Sequence, residues 1–442
     1  MTTKASHVML AALALAGLSC NSLTSVDAPD ILQPSQLNTP EGANVLRVGA
    51  MSRFYYTVIF YPFGVPGTAG VLSDELVSGG SDGTQEAFDA RRLTGDAELP
   101  YFVLHQVRHG FEDAIALYKQ FPQLPRAYMG ELYALLALDE DYFAELMCSG
   151  VPITEIVNGE PQYGPQLTTA QWLDRALSDV DSGVKYAVDT VRYEYLAQVV
   201  RARVLLNQAQ FDAAAAAVSG VPTSFLFNAE ATTATLNQYN LIGLNQLYGK
   251  FYGVSDKEGT NGLDFRSSGD PRIVPHIADL GLGADGLTEI FEWLPYGSLD
   301  SPVALANGIE ARLIEAEAAM QRGDAATWLT TLNTLRTDGT QTGGVYNPGT
   351  GGVAGLAPLA DPGTVPARVD LTFRERAFWL YFTGHRLGDL RRLIRQYGRA
   401  TETVFPTGPY KNNGSYGTDV TVAVPTGENN NPNFHGCLDR NP

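Results

Sequence analysis

The chain has 442 residues, 44% of them hydrophobic and 18% charged, with a formal net charge of -18. That length and apolar content support a sizeable core and exclude a disordered acidic chain. The negative charge argues against nucleic acid, whose phosphates require clustered lysine and arginine.

The first element is an address. After MTTK, the stretch VMLAALALAGL at 8–18 is too short to span a bilayer and fits the apolar core of a signal peptide. Ser19 and Cys20 follow, an arrangement that resembles a bacterial lipoprotein cleavage site, with Cys20 as the acylated lipid anchor. Ordinary secretion with a nearby small-residue cut is the alternative. The expected layout is a signal peptide at 1–19, a lipidated tether at 20–38 and a single domain at 39–442. No later segment holds eighteen uninterrupted apolar residues, so no spanning helix is expected. Removing Cys20 leaves Cys148 and Cys437, an even pair in an oxidising setting, and predicts a disulfide between them. Two buried thiols are the alternative.

Thr39-Pro40-Glu41 predicts a helix start, with threonine capping and proline at the first helical position, running to about residue 61. The Gly/Ser-rich segment 67–85 reads as a loop, and 98–120 as a second helix. Helical hairpins are predicted over 125–147, with Asp139-Glu140-Asp141 in the turn, and over 194–218, turning at 207–209. A third covers 309–336, turning at Gly323-Asp324. Residues 168–191 open on a Thr-x-x-Gln capping signature. Alanine-rich helix, short turn, second helix: this repeat resembles tetratricopeptide units at irregular spacing. The expected class is all-α, tetratricopeptide-like hairpins with irregular excursions, chiefly 223–307, that carry the ligand surface. Segment 338–366 reads as a low-complexity loop, and 420–424 as a short strand.

Nucleophile-elbow, Walker and His-Glu-x-x-His motifs are missing from the sequence, so neither catalysis nor a cofactor is expected. His105 and His109 have metal-ligand spacing, but no third ligand lies nearby; a structural or surface pair is the reading. Flat aromatic faces beside polar groups bind sugars and small organic ligands by stacking. On that basis Phe291, Trp293 and Tyr296, with Glu292, are the candidate ligand residues. The alternative is that these rings cap the core.

Segment 371–399 carries Arg374-Glu375-Arg376 and then His385, Arg386, Asp389, Arg391 and Arg392. Apolar residues recur there at three- and four-residue steps, and Thr383-Gly384 predicts a break between two helices. The charges therefore read as structural, with Arg386–Asp389 and Asp389–Arg392 as i, i+3 partners.

Arg-Glu-Arg, then Gly-His-Arg-x-x-Asp-Leu-Arg-Arg, then Phe405-Pro406 and Asn431-Pro432-Asn433, resembles the SusD/RagB family of nutrient-binding outer-membrane lipoproteins. The resemblance is strongest over about 305–437. It implies a helical tetratricopeptide-like scaffold without catalysis, anchored at the outer membrane. It also implies capture of an oligosaccharide, glycan or peptide for a TonB-dependent outer-membrane transporter. The main alternative is an exported tetratricopeptide-type interaction scaffold without a small ligand. A glycoside hydrolase using Glu292 is a third reading.

Overall fold

The structure is a computed structural model that describes residues 37–80, 83–93, 99–157, 160–337, 356–411 and 414–437. The expected signal peptide, Cys20 and nearly all of the tether lie outside the described residues, as does most of the 338–366 loop. Among the described residues, no helix is long and apolar enough to cross a membrane.

Helix α1 (Pro40–Arg53) starts where the sequence predicts, with the Thr39 hydroxyl accepting from Gly42 N at 3.0 Å. It continues as a π-helical segment, Phe54–Phe60. The stretch read as a Gly/Ser loop is instead helix α2 (Val65–Leu72), strand β1 (Leu76–Ser78) and helix α3 (Gly83–Asp89). Small residues let α2 sit wholly in the core, so glycine there marks close packing rather than a surface turn. Helices α4 (Leu99–Tyr118) and α5 (Arg126–Leu146) follow, then a hairpin of β2 (Val151–Val157) and β3 (Glu160–Leu167). Next come α6 (Thr169–Tyr186), α7 (Val191–Asn207) and α8 (Phe211–Val218). The Thr168–Gln171 capping box is formed.

Residues 223–307 hold β4 (Leu226–Ala229), β5 (Tyr252–Val254), β6 (Ile277–Leu282), β7 (Glu289–Trp293) and β8 (Val303–Asn307). The excursion is therefore more ordered than expected: β5 pairs β1, β6 pairs β7 and β8 pairs β4, each antiparallel. Helices α9 (Gly308–Gln321), α10 (Ala325–Thr337), α11 (Val365–Trp379) and α12 (His385–Arg395) complete the helical set relevant to the site. The expected strand at 420–424 is reduced to one parallel bridge, Val422 to Met147.

Helix α5 is the hub. It packs on α4, α6 and α7, while α9 packs on α8, α10 and α11. Gly130 lets α5 approach the end of α6 closely, since a Cβ there would lie 2.4 Å from Ala187 N. The tetratricopeptide-like hairpins α7–α8 and α9–α10 are as predicted. The hairpin over 125–147 is not: α5 is one unbroken helix, and Asp139, Glu140 and Asp141 lie buried at its centre. Glu140 accepts from Arg175 at 3.0 Å and Asp141 from Asn207 at 2.9 Å. Burial, followed by the Glu140 charge, pushes the Asp139 carboxyl well above the usual carboxylate range.

The 371–399 charges form the ionic keystone. The break between α11 and α12 falls as predicted, with Phe382 at φ 57 and Gly384 at φ 87, left-handed values that glycine adopts at little cost. Asp389 accepts from Arg376 at 2.8 Å and from Arg392 at 2.9 Å. Burial would raise the Asp389 pKa, but these two guanidiniums outweigh it and hold it down to about 2. Arg392 also meets Glu317 at 2.6 and 3.0 Å. Glu375 receives Arg272 and Arg336, Arg374 reaches Asp264 at 2.8 Å, and Arg391 caps the end of α5 through the Ala144, Glu145 and Met147 carbonyls. His385 lies 3.2 Å from Glu310, itself bound by Arg203. One expected pair is corrected: Arg386 turns away from Asp389 and makes a two-pronged bond to Asp74, at 2.6 and 2.9 Å. A bidentate carboxylate partner from the turn between α2 and β1 satisfies the fork better than an i, i+3 neighbour already claimed by two arginines.

Candidate functional site

The sequence-predicted ligand residues do not form an open site. Trp293 is fully buried, its ring centroid 4.9 Å from Tyr381 and 5.9 Å from His276. Tyr296 is buried 5.3 Å from Phe382. Phe291 is half-buried under the Arg266 guanidinium at 4.1 Å, and Glu292 is buried, which raises its pKa. The ligand reading of Trp293 and Tyr296 is thus corrected to a core role: the α11–α12 break carries Tyr381 and Phe382 inward, and Trp293 of β7 and Tyr296 of the turn after it pack against them. Glu292 is buried rather than set in an open cleft, where the carboxylates of a glycosidase pair stand.

The described surface instead opens a cleft of about 640 Å³ between α4, the β2–β3 hairpin, the end of α1 and the C-terminal tail. That volume lies within the range of small-ligand sites. One face of α4 supplies Tyr101, Phe102, His105, Gln106 and His109; Arg53, Thr154, Tyr163 and Glu428 face them. Helical spacing explains the first group, because positions i, i+1, i+4, i+5 and i+8 share one side.

Two rings offer themselves to a ligand. Phe102 is 44% exposed and Tyr163 is 39% exposed, high values for rings in a concave site. Behind them the floor is fixed. The Tyr101 ring stands edge-on to Phe102 at 5.5 Å and to His105 at 4.6 Å, and its hydroxyl donates to Glu428 Oε1 at 2.8 Å. His105 in turn lies 4.6 Å from Phe143, which stacks on Trp172 at 4.3 Å. Burial first, then the nearby Arg108 charge, push the His105 pKa well below its usual value and keep the imidazole neutral at pH 7. Arg108 is occupied by both oxygens of Glu112, at 2.7 and 2.8 Å.

The far wall belongs to the tail. Glu428 also accepts from Asn431 Nδ2 at 2.9 Å, and Asn433 Nδ2 donates to the Tyr163 carbonyl at 2.8 Å. Gln166 Nε2 bridges the carbonyls of Gly150 (2.9 Å) and Gly436 (2.7 Å). The predicted disulfide follows at once: Cys148 and Cys437 are bonded, with Cα atoms 5.8 Å apart. Sequence reasoning paired the cysteines but did not see that they position one wall of the cleft. His105 and His109, read from the sequence as a structural or surface pair, both lie in this lining. Among the described residues, no group of three or more His, Cys, Asp or Glu side chains could hold a metal ion.

This architecture is the SusD-like fold, a tetratricopeptide-like helical scaffold with a ribbon-bearing excursion. A SusD-like carbohydrate-binding protein from Bacteroides vulgatus superposes with a TM-score of 0.64 at 12% identity, covering 89% of this chain and 97% of that one. A laminarin-binding SusD-like protein gives 0.64 at 15% identity, covering 90% and 99%. A SusD superfamily protein from Parabacteroides distasonis gives 0.65 at 13%, covering 91% and 98%. Neither a protein-family profile nor a curated protein sequence matches the chain.

Proposed function

We propose that the protein is a non-catalytic glycan-binding member of the SusD/RagB family. It captures an oligosaccharide in the α4–hairpin cleft and delivers it to a TonB-dependent outer-membrane transporter, held at the outer membrane through acylated Cys20. The observation that carries the reading is the pair of exposed rings, Phe102 and Tyr163, standing over a floor whose polar groups are already oriented. Stacked rings beside fixed hydrogen-bond partners suit a sugar, which presents an apolar face and a rim of hydroxyls. The carbohydrate-binding and laminarin-binding proteins of the same fold support the ligand class. Delivery and anchoring rest on the sequence resemblance and on the lipoprotein-like start. The test is a glycan-array screen followed by calorimetry on the best ligand. Phe102→Ala and Tyr163→Ala should each weaken binding on the order of tenfold, the loss of one stacking contact. Unchanged affinity in both variants would place the ligand elsewhere.

A further inference from the structure

The charges at the cleft sort its possible ligands. Glu428 is an acid in the lining, and its oxygens already accept from Tyr101, Asn431 and, at 3.4 Å, Thr154. Arg108 is neutralised by Glu112, and His105 is uncharged. His109 stands half-exposed, with Asp113 3.6 Å away and Glu112 4.0 Å away on its own helix.

Arg53 is different. It is exposed at the mouth, and its side chain donates from Nη2 to the neutral Gln106 Oε1. Among the described residues, no carboxylate pairs with it. A guanidinium has five N–H donors in a planar fork, and the bond to Gln106 takes one of them. In a chain of net charge -18, an acidic neighbour would be easy to supply. A neutral amide holds the arginine in place there instead.

We propose that the cleft selects an anionic sugar chain. Arg53 pairs with a carboxylate or sulfate on the ligand, while Phe102 and Tyr163 stack on the adjoining ring. A fork of N–H donors matches two oxygens of either group, and such charge-assisted pairs are about twice as strong as neutral hydrogen bonds. This inference rests on the glycan reading above and narrows it to a charge class.

The test compares three probes of similar length by calorimetry: a neutral laminari-oligosaccharide, an oligogalacturonate and a sulfated carrageenan oligosaccharide. The full exported chain is used, with Arg53→Gln and Phe102→Ala variants checked for unchanged melting. The expected result is tighter binding of one anionic probe than of the neutral one, weakened by added salt. Arg53→Gln should lower that affinity about tenfold and leave the neutral probe within about twofold. Whichever anionic probe responds identifies the group as carboxylate or sulfate. Equal affinity for all three, or an anionic affinity indifferent to Arg53→Gln, overturns the charge preference. If the neutral probe alone binds and Phe102→Ala abolishes it, the charge preference falls while the glycan site stands. If no probe binds, or binding ignores Phe102→Ala, both fall.

Discussion

Replacing Cys148 and Cys437 by serine should loosen the binding wall more than the scaffold. The bond spans 289 residues, for which the chain-entropy relation gives about 5.7 kcal/mol as an upper limit. With about 2.1 cal/mol/K of unfolding entropy per residue over roughly 400 residues, that limit corresponds to a fall of about 7 °C in melting temperature. The local effect is separate. Val422 stays tied to the end of α5 without the sulfurs, through Val422 N to Leu146 O at 2.8 Å and Cys148 N to Val422 O at 3.1 Å. Detaching only the tail beyond Val422 therefore involves a loop of about 15 residues, which the same relation values at about 3 kcal/mol. Without the disulfide the tail is held by its bonds to Tyr101, Tyr163 and Gln166, each contributing about 1 kcal/mol. Calorimetry should show a drop of several degrees at most. Hydrogen exchange should show faster opening in peptides covering 425–437 than in α5 or α9, and glycan affinity should fall with it. A variant whose tail exchanges and binds as the wild type does would refute the reasoning, because the wall would then owe nothing to the bond.

Burial, the largest influence, raises the Glu75 pKa to about 8, although Phe382 N donates to Oε1 at 2.7 Å. A carboxyl raised in the folded state contributes stability that is complete below its unfolded pKa near 4.5 and is lost as pH rises through 8, on the order of 1.4 kcal/mol per pH unit. Glu75→Gln should thus melt close to wild type at pH 5 and above it at pH 8 to 9, judged by thermal scans; parallel profiles across that range would remove the argument. Arg386→Ala strands the buried Asp74 carboxylate and should cost about 3 to 5 kcal/mol in chemical denaturation, with glycan affinity of the surviving folded protein unchanged. A selective loss of binding at unchanged stability would move Arg386 from the scaffold into the site.

The legible parts of the fold were those written in local physics. Thr39 and Thr168 cap helices because their hydroxyls reach backbone N–H groups three residues on, and the sequence spacing alone shows this. Gly323 and Gly384 turn the chain at left-handed φ values, which their lack of a Cβ allows. What failed was long-range. Asp139-Glu140-Asp141 looks like a turn because three acids are costly to bury, yet Arg175 and Asn207, distant in sequence, supply partners for two of them. Trp293 and Tyr296 look like ligand rings because they sit among glycines and prolines; their burial depends on Tyr381 and Phe382, some 85 residues on.

The cleft was illegible for the same reason. Its walls come from α1, α4, the β2–β3 hairpin and the tail, four segments spread from Arg53 to Glu428. Cys148 and Cys437 were the readable link between two of them, since an even cysteine pair in an exported chain implies a bond. Following that bond leads from the end of α5 to Gln166, then through Asn433 to Tyr163 and through Asn431 to Glu428. The ionic keystone of α11 and α12 meets α5 at this same end, where Arg391 binds the carbonyls of Ala144, Glu145 and Met147. One helix end thus receives both the keystone arginine and the tail. The keystone fixes the framework from inside by buried ion pairs such as Asp389 with Arg376 and Arg392, whereas the tail closes the cleft from outside by one covalent bond and a few amides. A ligand that needs room at the cleft meets only the second set, so substitutions in the tail and hairpin should change any binding there at little cost in stability, whereas substitutions in the keystone should cost stability first.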